Sequence, residues 1–110
     1  MSAVKLVGTW GIPADSDAAE VDRYYFEVHV PNVRRIPGLR KHVLMKGVSN
    51  GAGGHPPFHR GAEAWFDSRE DLERALSSPE WKDEEKNDGF SDRVCNLQIT
   101  VYEVEEEWTN

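Results

Sequence analysis

The stretch Val21-Asp-Arg-Tyr-Tyr-Phe-Glu-Val-His-Val-Pro-Asn-Val-Arg-Arg-Ile36 decides how this chain folds. At 100° per residue, Val21, Tyr25, Val28, Asn32 and Ile36 share one stripe. Asp22, Phe26, His29 and Val33 share the adjacent stripe, and Arg23, Glu27 and Arg34 lie opposite, toward water. The spacing predicts an amphipathic helix over 18–35, opened by a capping-box pair, Asp17 and Glu20, and stopped by Pro37-Gly38. Pro31 lies inside it. A proline there lacks a backbone donor and clashes with the carbonyl four residues back, that of Glu27, at a cost of about 3 kcal/mol. The helix is therefore expected to kink or widen near 27–31.

Outward from this helix the pattern turns to strands. Residues 3–11 (AVKLVGTWG) are rich in β-formers, as are 39–48 (LRKHVLMKGV), 58–67 (FHRGAEAWFD) and 94–104 (VCNLQITVYEV). A glycine-rich loop, 49–57, separates the second and third strands. Ser68 or Asp67 caps a helix over 69–77, and Ser78-Pro79 restarts a short one that fades before Asn87-Asp-Gly89. The order β-α-β-β-α-β predicts an α+β fold, a ferredoxin-like protomer with an antiparallel sheet and both helices on one face. Alternation places Val4, Leu6 and Trp10 opposite Ala3 and Val7, Leu39, Val43 and Met45 opposite Leu44 and Val48, and Phe58, Ala62, Ala64 and Phe66 opposite Trp65. Apolar side chains thus occupy both faces while helices cover one. A second copy is the expected cover, giving a homodimer through the sheet face, a dimeric α+β barrel.

The 110 residues make a single domain, 1–110. Thirteen Lys+Arg against 20 Asp+Glu give a net charge of −7, which argues against nucleic-acid and membrane-surface partners. Part of that excess sits in Asp83-Glu-Glu85 and in 103–107, read as a solvated helix end and tail. No run of 18 apolar residues or charged-then-apolar leader is present, and the single Cys95 forms neither an intrachain disulfide nor a cysteine zinc cluster. The expected location is cytoplasmic.

His29 is the candidate catalytic residue. Flanked by Phe26 and Val33, its ring is placed to line a partly apolar pocket between helix and sheet, where an imidazole can take and return a proton. The alternative is a hydrogen-bonded core histidine beside a proline tolerated near a helix end. Glu63 shares a strand face with His59, with Gly61 leaving room between them; it is a second acid/base or the partner of Arg60 or a neighbouring strand. Trp10 and Trp65 are pocket walls or core, and His42, Asn96 and Gln98 are structural or solvent-facing interruptions of strands. His55, His59 and Glu63 recur every four residues, but in a loop and a strand that spacing spreads them over more than about 20 Å, so no metal site is expected.

Asp22-Arg-Tyr-Tyr-Phe-Glu-Val-His-Val-Pro31, Ile36-Pro-Gly-Leu-Arg40, Ala62-Glu-Ala-Trp-Phe-Asp67 and Ala75-Leu-Ser-Ser-Pro-Glu80 resemble the EthD family of dimeric α+β barrel proteins over nearly the whole chain. The resemblance implies a ferredoxin-like protomer, a homodimer and a pocket between helices and sheet. His29 matches the histidine of the family's HVP motif, which in the isomerase branch lies in the active site. Asn32 departs from the apolar residue usual after that motif, so it adds a polar group to the pocket wall or faces solvent. Related methylmuconolactone methylisomerases and polyketide cyclases work without metal or organic cofactor, and the wider superfamily includes cofactor-free monooxygenases and haem proteins. The resemblance thus implies a cofactor-independent isomerase, cyclase or lyase acting on a small oxygenated compound. His29 would move the proton, and Trp10, Tyr25, Phe26, Asn32, Val33, Glu63 and Trp65 would hold the small-molecule ligand. The alternatives are a non-catalytic binding or accessory protein of a degradation pathway, or a monooxygenase-like or haem-dependent oxidative protein.

Overall fold

The β-rich segments form β1 (Val4–Gly11), β2 (Lys41–Lys46), β3 (Arg60–Phe66) and β4 (Cys95–Glu103) in a computed structural model that describes residues 2–110, leaving out the side chains of residues 84–87. The strands lie in the order β2-β3-β1-β4, each neighbouring pair antiparallel. This is the split βαβ arrangement that the element order predicts. Of the expected acidic helix end, Asp83 is exposed, while Glu84 and Glu85 lie outside the described side chains.

The first helix comes in three pieces: α1 (Ala18–Tyr24), a wide π turn (Tyr25–His29) and α2 (Val30–Val33). Asp17 caps it, accepting from the Ala19 amide at 2.9 Å. In the wide turn the Val30 amide reaches back five residues to the Tyr25 carbonyl. The extra residue gives the Pro31 ring the space an α-helical turn denies it, which is the expected widening. It also shifts the inward face. Val30 is buried under Tyr25, where unbroken 100° steps place Val28. Phe26 is carried outward to 44% exposure, with the Arg60 guanidinium over its ring at 5.0 Å.

α3 (Arg69–Leu76) is capped by Ser68, whose hydroxyl accepts from the Asp71 amide, and α4 (Pro79–Asn87) follows. Ser78 bridges the two, donating to the Ala75 carbonyl at 2.6 Å and accepting from the Trp81 amide at 3.2 Å. A single turn of 3-10 helix, Phe90–Asp92, leads into β4.

Among the described residues, two apolar clusters pack between helices and sheet. Trp10, Val21, Tyr25, Val30, Phe90 and Val94 form one; Val4, Ile36, Phe66, Leu72 and Ala75 form the other. The opposite sheet face is less apolar than the sequence suggests. Leu39 precedes β2 and packs into the second cluster, Val48 lies beyond β2 at 81% exposure, and Phe58 precedes β3. Cross-strand register leaves Val7, Val43, Met45 and Trp65 on that face, interleaved with Lys5, Thr9, Lys41 and Glu63.

Trp10 is 3% exposed, with its ring 4.9 Å from Tyr25 and 5.1 Å from Phe90. Trp10→Ala is expected to cost about 3–5 kcal/mol in urea unfolding; a loss under 1 kcal/mol would contradict this packing.

Candidate functional site

A cavity of about 240 Å³ lies between the sheet and the helices. Its floor is Leu6, Gly8, Ala62 and Ala64; Val33, Ile36, Leu72 and Trp81 wall it, and Leu97 and Ile99 on the edge strand complete the lining. Among the described residues its polar side chains are His29, His42, Ser91 and the two indoles, Trp10 and Trp81. Among the described residues, no Lys, Arg, Asp or Glu lines it. A Cβ added at Gly8 meets nothing within 4 Å, so the missing side chain helps to make the hollow.

His29 is held from three sides. Its ring stacks on Phe90 with centroids 4.1 Å apart and planes 20° from parallel, and Tyr25 lies beyond at 5.8 Å. Its Nδ1 is 3.3 Å from Oδ2 of Asp88, a side chain only 1% exposed. Asp88 is itself fixed. Oδ2 accepts from Asn32 Nδ2 at 2.8 Å, and Oδ1 accepts from the Phe90 amide at 3.1 Å. Arg35 donates to Asn32 Oδ1 at 2.9 Å, which orients the amide so that its nitrogen faces the carboxylate. Gly89, at φ 74°, makes the left-handed turn that lets Asp88 and Phe90 both reach the same imidazole. Asn32 therefore serves the site from one step behind it: it holds the carboxylate whose Oδ2 lies 3.3 Å from His29 Nδ1.

His42, in the sequence a structural or solvent-facing interruption of a strand, belongs to the site. It sits on the helix-facing side of β2, opposite Ala64 in register, and lines the same cavity. Arg34 Nε donates to its Nδ1 at 3.3 Å. Burial first, then the charges of Arg34 and His29, push its pKa down from 6.5 to about 4.

The other candidates separate. Trp10 and Val33 line the cavity. Tyr25 is 2% exposed in the core beneath it, its phenol pushed up to about 12, chiefly by burial. Phe26 is on the outer surface. Glu63 and Trp65 project from the opposite sheet face, so they do not meet His29. There Glu63 accepts from Lys5 Nζ at 2.9 Å and Trp65 Nε1 at 3.0 Å, and Lys41 covers the Trp65 ring at 4.5 Å. Burial raises the Glu63 pKa, but the bonds from Lys5 and Trp65 outweigh it and hold the carboxyl below its ordinary value. His59 pairs with Asp22 at 2.8 Å instead of Glu63, beside Arg60 at 2.9 Å; the Arg60 bond is the main reason the Asp22 pKa is low. Among the described residues, no group of three or more His, Cys, Asp or Glu is placed to hold a metal ion, and no helix is long and apolar enough to cross a membrane. The glycine loop 49–57 borders a separate open groove near Met45 and Phe58, away from the cavity.

The His42 shift sets a sign for acid stability. Its folded pKa lies below its unfolded value, so the unfolded chain binds more protons as pH falls from 6.5 to about 4, and stability is lost across that window. Urea midpoints of the wild type are expected to drop between pH 7 and pH 4.5, and the His42→Leu protein to drop less. An equal drop in both would show that His42 is not buried neutral.

A family model, the EthD domain, matches residues 14–93. Curated protein sequences give no match. Among solved structures, an EthD family protein from Bacillus halodurans C-125 is similar at a TM-score of 0.79 and 28% identity, covering 94% of this chain and 99% of that one. A hydroxynitrile lyase from Passiflora edulis is similar at 0.76 with 14% identity, covering 98% of each chain. SnoaB, a cofactor-independent oxygenase from Streptomyces nogalater, is similar at 0.72 with 14% identity over 100% of both. At that identity the last two show a shared fold alone.

Proposed function

The chain belongs to the EthD family, and from that premise we propose that it is a cofactor-independent enzyme acting on a small oxygenated organic compound, an isomerase, cyclase or lyase in which His29 moves the proton. What carries the proposal is the 3.3 Å contact between His29 Nδ1 and the buried Asp88 at the wall of an apolar cavity. A carboxylate at Nδ1 favours the tautomer with hydrogen there and leaves the Nε2 lone pair as the base. When Nε2 takes a proton, the new imidazolium faces a carboxylate in a medium that screens little, so the charge is stabilised as it forms. Phe90 and Tyr25 keep the ring from turning away. The hydroxynitrile lyase and the cofactor-independent oxygenase lend the fold a precedent for small-molecule chemistry, though only the fold is shared.

Exchange of acidic C–H for deuterium, followed by proton NMR over a panel of ketones and lactones in D2O, tests this. His29→Ala is expected to lose about 10²–10⁴-fold in exchange rate. Asp88→Asn is expected to lose about 10²-fold or more because it no longer selects the tautomer. Gly8→Val is expected to fold normally and lose ligand, because the added side chain enters open space in the cavity. Equal rates in wild type and His29→Ala would refute the proposal. Ligands that bind without exchange would make the chain a binding or accessory protein instead.

The same proposal includes a homodimer joined through the sheet face that carries Val7, Val43, Met45 and Trp65, which no helix covers. Sedimentation equilibrium at micromolar concentration is expected to give twice the 12.5 kDa chain mass. A single-chain mass, or a dimer untouched by Val43→Lys, would rule this interface out.

A further inference from the structure

We propose that His42 is the hydrogen-bond donor that holds the carbonyl oxygen of the substrate while His29 takes the neighbouring C–H proton, and that the substrate is an uncharged ketone, ester or lactone. This rests on His29 acting as the base. Both imidazoles line one cavity, but they are backed by opposite partners. His29 has a carboxylate at Nδ1. His42 has a guanidinium: Arg34 Nε donates to its Nδ1 at 3.3 Å. A neutral imidazole carries one N–H, so an Nδ1 that accepts puts the hydrogen of His42 on Nε2. Burial and the charges of Arg34 and His29, the groups that act on this ring, keep it neutral down to about pH 4. It is thus a donor that does not become a cation at neutral pH. Two identical side chains with opposite partners at Nδ1 divide the work between base and donor.

The cavity limits what binds there. Among the described residues its walls offer no Lys, Arg, Asp or Glu, so a carboxylate, phosphate or ammonium would be desolvated without a counter-charge. Its 240 Å³ lies below the usual floor of about 300 Å³ for ligand pockets, which suits one ring with few substituents. The proton step balances without any other reagent. His29 Nε2 takes the proton from the carbon next to the carbonyl. The C–H pair becomes the new C=C bond, the C=O π pair moves to oxygen, and His42 Nε2–H stabilises that oxyanion. The proton returns from His29 to the same or another carbon.

Cyclohexanone labelled with ¹³C at the carbonyl is the probe. Its carbonyl resonance is expected to move downfield on binding to the wild type and to His29→Ala, to lose that shift in His42→Leu, and to regain part of it in His42→Gln, which restores an N–H. Exchange of its α-protons in D2O is expected to fall about 10²-fold in His42→Leu. If His29→Ala loses exchange while His42→Leu keeps both shift and exchange, the donor role is wrong and the base role stands. If His29→Ala keeps exchange, the base role is wrong; if the wild type neither binds nor exchanges the probe, both are wrong. Long-range ¹H–¹⁵N spectra add a readout independent of activity: His42 is expected as a single Nε2–H tautomer from pH 8 to pH 5. An Nδ1–H tautomer, or titration near its ordinary 6.5, would overturn the assignment.

Discussion

Pro31 has no amide hydrogen, and its ring cannot share a normal helical turn with the carbonyl four residues before it. The chain meets this by winding Tyr25–His29 as a π turn, with the Val30 amide reaching the Tyr25 carbonyl. That local solution orders much of what lies around it. It buries Val30 under Tyr25, moves Phe26 to the surface, and leaves His29 between the stacked face of Phe90 and the cavity. A regular helix with the same residues would put a different set of side chains against the sheet.

The second ingredient comes from far along the chain. Asp88 is fixed by Asn32 from α2 and by the backbone of the turn it occupies, so the carboxylate is set before any ligand arrives. Such pre-set partners are what make a buried imidazole a directed base instead of a ring free to rotate. The cavity adds the remaining condition. Its floor is apolar and open at Gly8, and among the described residues its polar contacts are two imidazoles, a serine and two indoles. Opposite partners at Nδ1, a carboxylate for one imidazole and a guanidinium for the other, give a small hollow two different functional groups from one residue type.

The parts of this arrangement legible in the sequence are those set by local periodicity. Strand alternation locates Trp10 and Ala62, helical spacing locates Val33, and the proline inside the helix announces a widening beside His29. Phe26 departs from the stripe it shares with His29 because steps of 100° do not carry through a five-residue turn. Alternation already sets Trp65, and Glu63 with it, against Ala62 and Ala64, on the sheet face away from a pocket between helix and sheet. Asp88 was invisible for a different reason. Asn87-Asp-Gly89 reads as a helix stop, and an aspartate turning back to its own backbone accounts for one oxygen only; the partner of the other lies 56 residues away in Asn32. His42 looked like a polar break in a strand until Arg34 and the cavity wall met around it.

The tautomer of His29 tests this account most directly. In a long-range ¹H–¹⁵N spectrum of the wild type, at a pH where the ring is neutral, His29 should appear with its hydrogen on Nδ1 and none on Nε2. In Asp88→Asn that single tautomer should give way to a mixture or to the Nε2–H form. A wild-type ring already protonated at Nε2, or a spectrum that Asp88→Asn leaves unchanged, would contradict it.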